Sequence, residues 1–350
     1  MLKLTLWMLL APGLALGAED PEPSQEERDE GDEEGDVVVV TATRDSRSAL
    51  DVAPATGVVD ARQLREGLAR SVSEALAEVP GVEARNEGGV YYWNPVLRGL
   101  SGRRVVMLLE GERIPGNKPM GITGFWLDTL AVRQIEVVRG PSSVLYGTDA
   151  LGGVVNVRLR DPFEERGLHS RLSARAGSNN GEASLGGGVR WASERLALSL
   201  SGRVREAEDY RDGDGEVVLN SYYGDHNLAG SAALRLGHHV LTLRHHAVDV
   251  QDVGKARTAE DAALHRLVHL PEDRVGRWSA SWAWQGSRGQ EAHASLYRQR
   301  SFRQNIADIH TSDMSALVTR TEKEADIHGL GGTGWALLPL HRRDELTVGL

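Results

Sequence analysis

The chain has 350 residues, a net charge of -10 and no cysteine. That charge argues against a nucleic-acid binder with a basic face, and the absence of thiols excludes disulfides and thiolate metal sites. Beyond the N-terminus no run of about 20 apolar residues is available for a helical membrane span, but a β-barrel needs only alternation and stays open.

Residues 1–18 read as a secretory signal. Lys3 supplies the basic start, Leu4 to Leu10 and Leu14 to Leu16 the apolar core, and Ala15-Leu16-Gly17-Ala18 small residues for cleavage. Residues 19–35 are acidic and almost free of apolar side chains, so they read as a flexible linker. Asp36 to Arg44, DVVVVTATR, is a strong strand former. Two readings fit it: the first strand of the domain that follows, or a free-edged strand that adds itself to another protein's sheet.

Residues 45–163 read as a small α+β domain. Asp60 with Gln63 and Ser71 with Glu74 match the capping-box pattern, the second pair better than the first. A helix from Val72 to Glu78 places Val72, Leu76 and Val79 on one side and stops at Pro80-Gly81. Val105 to Leu109 is an apolar strand that turns at Glu110-Gly111. Ile135 to Val138 make a second strand, Gly140-Pro141 stops it, and Ser142 to Tyr146 give about one helical turn. Gly152-Gly153 then allow close backbone approach before Val154 to Val157 resume a strand.

From residue 167 to 350 the texture changes to strand-sized segments of period two. Leu196, Leu198 and Leu200 alternate with small residues, as do Leu241 and Leu243 and, with an aromatic end, Trp278, Ala280, Trp282 and Trp284. Short turns are expected near 192–194, 237–238, 286–289 and 339–344, and long polar loops near 207–223, 250–273 and 303–325. Short turns at one end and long loops at the other fit a membrane barrel better than a soluble sandwich. Tyr210, Tyr222, Tyr223, Trp191 and Trp278 are candidates for an aromatic girdle.

The stretch IEVVRGPSSVLYGTDALGGVVN (residues 135–156), with EALAEVPGV (74–82) and LRGLSGRRVVMLLEGERI (97–114) before it, resembles the plug domain of TonB-dependent outer-membrane receptors. The resemblance implies an α+β plug followed by antiparallel transmembrane β-barrel strands in the outer membrane of a Gram-negative bacterium. It casts Asp36, Val37, Val38, Val39, Val40, Thr41, Ala42, Thr43 and Arg44 as the TonB box, which pairs with TonB in the periplasm. It places Tyr91, Tyr92, Trp93, Asn94, Lys118, Phe125 and Trp126 at an outward apex that meets ligand. Arg98 and Arg139, joined by Glu136, resemble the side chains that latch the family's plug to barrel glutamates. The implied work is uptake of an iron chelate, haem or a ferric siderophore as cargo, with cobalamin as the alternative and a non-transporting adhesin or passive porin as the rival class. Roughly eight strands and the start of another are readable, against about 22 in plugged transporters, so the chain reads as the N-terminal part of a longer receptor.

No hydrolase, kinase or dinucleotide fingerprint occurs, and no resident cofactor is expected. All 12 histidines follow residue 168. His265 and His269 would face one way on a helix begun by Thr258 or Asp261, which makes them candidate haem ligands. Asp212, Asp214 and Glu216 alternate in a loop and are candidates for structural calcium, although the run is no EF-hand.

Overall fold

The computed structural model describes residues 38–39, 47–48, 55–67, 69–86, 93–114, 127–141, 146–341 and 344–349. The signal and the linker lie outside these residues. The first strands, β1 (Val38–Val39) and β2 (Arg47–Ser48), pair only with each other, antiparallel and over two residues each.

The plug domain is built on a five-stranded mixed sheet. Its strands are β3 (Ala55–Asp60), β6 (Val105–Leu109), β7 (Glu112–Arg113), β8 (Val132–Arg139) and β9 (Gly153–Leu159), in the order β3-β8-β9-β6-β7. A separate hairpin joins β4 (Val82–Asn86) to β5 (Trp93–Leu97). All five residues of β6 are buried, because both faces of the sheet are covered. Met107 and Leu109 pack with Val72, Leu76, Val79, Ile135 and Val157 on one side. Val106 and Leu108 pack with Val138, Tyr146 and Val154 on the other. Double coverage explains why these strands read as continuous apolar runs without alternation.

Two short helices cap one side. The helix α1 (Ala61–Glu66) begins on a full capping box, with Gln63 N–H donating to Asp60 Oδ1 at 2.7 Å and Asp60 N–H to Gln63 Oε1 at 3.0 Å. The helix α2 (Val72–Ala75) tightens into a 3-10 turn over Leu76–Glu78, short of Pro80. Its box is only half made, contrary to expectation. Ser71 Oγ accepts from Glu74 N–H, but the Glu74 carboxylate turns to the Arg70 N–H and guanidinium. An ion pair with a cation one residue upstream outcompetes the neutral backbone donor.

Glu110 and Gly111 both take positive φ, 55° and 79°, and make the two-residue hairpin that joins β6 to β7. Gly153 has a φ of 146° and lies so close to β8 that a Cβ there would overlap the Val138 carbonyl oxygen. Only glycine fits that approach. Of the helical turn expected over 142–146, only Tyr146 is among the described residues, and it is buried.

The rest of the chain is one antiparallel sheet of nine strands in sequence order. They are β10 (Gly167–Ala176), β11 (Ala183–Ala192), β12 (Leu196–Ala207), β13 (Tyr223–Leu236), β14 (His239–Lys255), β15 (Arg266–Gln285), β16 (Glu291–His310), β17 (Leu317–His341) and β18 (Asp344–Gly349). Its two faces invert the soluble pattern. Leu200, Leu296 and Leu330, at 60 %, 67 % and 82 % exposure, face out, whereas Arg277 and Gln299, at 3 % and 2 %, are buried beneath the plug side. Apolar out and polar in is the arrangement lipid requires of a barrel wall.

The strands lengthen along the sheet, from 10 residues in β10 to 25 in β17. Crossing a bilayer takes about 9–11 residues, so the later strands project well beyond it. This corrects two of the expected loops. Residues 208–222 do connect strands, but most of 250–273 and 303–325 is strand, leaving connections at 256–265 and 311–316. Polar residues there pair as extended ribbons, since a ladder above the membrane needs no apolar face. Trp191 and Trp278 are exposed on the outer face, as a girdle requires. Tyr223 is not a girdle residue: it is buried among Val248, Val250 and Leu270, beside the Arg205 guanidinium.

Candidate functional site

The plug is seated on the polar inner face of the wall, and charge makes the seat. Asp128, just before the 3-10 turn that leads into β8, meets Arg203 of β12 at 3.1 Å. Glu112 of β7 meets Arg277 of β15, and both side chains are 3 % exposed. Glu110, at the hairpin, lies 3.6 Å from Arg158 of its own domain and 4.0 Å from Arg244 of β14. The Arg205 guanidinium donates to the Arg70 carbonyl while paired to Asp225 at 2.7 Å. Plug carboxylates thus face wall arginines along β12 to β15.

Burial decides how each carboxylate behaves. Burial pushes the Glu110 carboxyl up, but Arg158, Arg244 and the Leu159 N–H together hold it below its ordinary value. At Asp128 burial outweighs Arg203, and the carboxyl is raised. Glu112 Oε1 and Arg277 Nε have no hydrogen-bond partner among the described residues. Arg277 also donates to Gln299 at 3.1 Å and lies 3.7 Å over the Tyr297 ring. A buried pair left partly unsatisfied gives little net stability, yet losing one partner is costly. These seat residues went unmarked in the sequence. Glu112 and Arg277 are 165 positions apart, and nothing local singles out either.

Of the residues expected to latch the plug, Glu136 and Arg139 lie on β8 and Arg98 directly after β5. Glu136 and Arg139 lie three apart on β8, so they point to opposite faces. Glu136 is fully buried and accepts from Gln134 at 2.7 Å. Arg139 ties the plug to itself, donating to the carbonyls of Pro80 and Thr56. Arg98, with a positive φ of 52°, lies against Gly140 within the plug. Of the apex residues, Tyr91, Tyr92, Lys118, Phe125 and Trp126 lie outside the described residues. Asn94 is buried in the β4–β5 hairpin, where it pairs with Arg85. Of the TonB-box segment only Val38 and Val39 are described.

The histidine pair is corrected. The helix α3 (Ala259–Ala263) does begin on Thr258, with a capping box to Asp261, but it ends before His265. His265 sits in a turn with a φ of 50° and His269 on β15, so helical spacing does not bring them together. The acidic loop closes on itself, with Asp212 Oδ1 accepting from the Asp214 and Glu216 N–H groups at 3.0 Å each. Among the described residues no group of three or more His, Asp or Glu stands in metal-holding geometry.

Comparison with known proteins agrees with this architecture. Residues 48–154 match the family model of the TonB-dependent Receptor Plug Domain. The chain is 32 % identical over 197 residues to the vitamin B12 transporter BtuB of Vibrio vulnificus (strain CMCP6), covering 56 % of this chain and 32 % of that protein. It is 28 % identical over 216 residues to the hemin receptor of Yersinia enterocolitica, covering 60 % and 31 %. The matched part thus spans about a third of the length of these relatives. In fold it resembles the copper transporter OprC, with a TM-score of 0.70 and 22 % identity over 85 % of this chain and 45 % of that one. A mixed sheet whose residues 48–154 match the plug model and a nine-stranded antiparallel wall with its apolar face outward give the chain the fold of a plug domain followed by barrel strands, similar to the TonB-dependent receptors.

Proposed function

We propose that the protein takes up an iron chelate, haem or a ferric siderophore, across the outer membrane, with energy delivered by TonB to the segment Asp36–Arg44. The observation that carries this reading is the pairing of Val38–Val39. Among the described residues, Val38 and Val39 pair with Arg47–Ser48 in a two-stranded sheet separate from the plug sheet and the wall. So short a pairing is readily exchanged for a partner strand. A pull on it reaches a plug seated on a partly unsatisfied charge pair, which is where a removable domain would give way. For occupancy to bias that event, ligand must bind the two plug states unequally.

Cobalamin is the second cargo, favoured by the 32 % identity to a vitamin B12 transporter. A passive pore or adhesin has no use for a tethered, exchangeable strand. The test deletes residues 36–44 and supplies haem, ferric siderophores or cobalamin in turn as the sole source. Growth on one of them is expected to fail in the deletion strain and in a knockout alike. Uptake unchanged by the deletion overturns the reading.

A further inference from the structure

A cavity of about 210 Å³ lies at the foot of the plug, where β9 runs into the wall. Its plug side is formed by Leu130, Ala131, Leu159 and Arg160, and its wall side by residues of β10 to β14. At roughly 30 Å³ per water, it would hold about seven waters or one small oxyanion group.

The lining is cationic. Arg160, Arg171, Arg190 and Arg244 all border it, and Glu165 is the one carboxylate among the lining residues. Glu164 and Glu165 engage Arg190, and Glu164 also lies 3.8 Å from Arg160. Arg244 lies 4.0 Å from Glu110, so of the four cations Arg171 alone makes no ion pair among the described residues. After burial itself, the largest influence on Arg160 is Arg171, which with Arg190 lowers its pKa against the pull of Glu164. His246 supplies a second, independent sign. It is 8 % exposed, lines the cavity, and neither ring nitrogen has a hydrogen-bond partner among the described residues. A polar ring buried without a partner is costly unless something in the cavity satisfies it. Ser199, Ser201 and Ser231 add hydroxyls on the same wall. Forked guanidinium donors, hydroxyls and an open imidazole are the donor set for a carboxylate or phosphate.

We propose that this cavity binds an oxyanion and receives the acidic group of the cargo as it passes between plug and wall. The second half of this statement rests on the uptake reading above; the first does not.

The test titrates the detergent-solubilised protein with inorganic phosphate by calorimetry. Saturable binding is expected, weakened about tenfold or more in Arg160→Gln and in Arg244→Gln, since each removes a charge-assisted hydrogen bond. Arg160→Lys should restore most of it, which a merely unfolded site would not do. Equal titrations for the native protein and both glutamine variants overturn the site. Cargo uptake in the same strains separates the sources of the anion. A variant that no longer binds phosphate yet takes up cargo at the native rate overturns the passage role and leaves a free-phosphate site. Deletion of residues 36–44 reads the uptake proposal separately, because phosphate binding to purified protein needs no TonB.

Discussion

Removing one partner of the Glu112–Arg277 pair strands the other in a dry interface. Glu112→Leu or Arg277→Leu alone should therefore destabilise the seated plug by about 3–5 kcal/mol, whereas the double replacement should cost much less. A double-mutant cycle on thermal unfolding, with protease sensitivity of the plug as readout, checks this. Additive losses would contradict it. Glu110 contributes to the acid response. Its folded pKa lies below the ordinary 4.5, so the ionised carboxylate stabilises the fold above that value, and the contribution is lost as pH falls through the lower folded value. Stability should show an acid-dependent loss below about pH 4.5 that Glu110→Gln reduces. A profile identical in the two proteins would show that Glu110 does not contribute. Gly153→Ala should destabilise the plug by at least about 1–3 kcal/mol, for a strained φ and an overlap with Val138. At this scale little of the site was legible. Arg98 and Arg139 stand out through the resemblance of their motifs, and Arg139 donates within the plug to the Pro80 and Thr56 carbonyls, whereas Glu112 and Arg277 sit in unremarkable strands.

Elements were more legible than their contacts. The apolar runs at Val105–Leu109 and Ile135–Val138 became central strands because both of their faces are covered, which a continuous run implies. Pro80-Gly81 ended the helical segment as proline chemistry requires, while the two capping boxes came out in reverse order of promise because Arg70 captured Glu74. Asp60→Ala should cost about 1 kcal/mol of plug stability, and Glu74→Ala should act through loss of the Arg70 pair rather than of a cap. Chemical denaturation of both variants distinguishes these. The helix α3 shows the limit of local reading. Its start at Thr258 was visible, but its end before His265 was not, because the ladder of β15 with β14 and β16 claims His269 and extends past the expected loop.

On the scale of the molecule, the described strands of the wall follow one another antiparallel in chain order from β10 to β18. The inversion of the wall, with leucines outward and Arg205, Arg277 and Arg303 inward, follows from the alternation already present in Leu196 to Ser201. By itself the sequence determined the plug's strands and helix starts and that alternate residues of the wall face opposite ways, because side-chain spacing and turn chemistry are local; how far the wall strands extend past the expected loops was settled by their ladders. Only the tertiary structure decided which face looks at lipid and which arginine meets which carboxylate. The pairings between plug and wall join residues from 75 to 165 positions apart, and their energies depend on burial that no local pattern encodes.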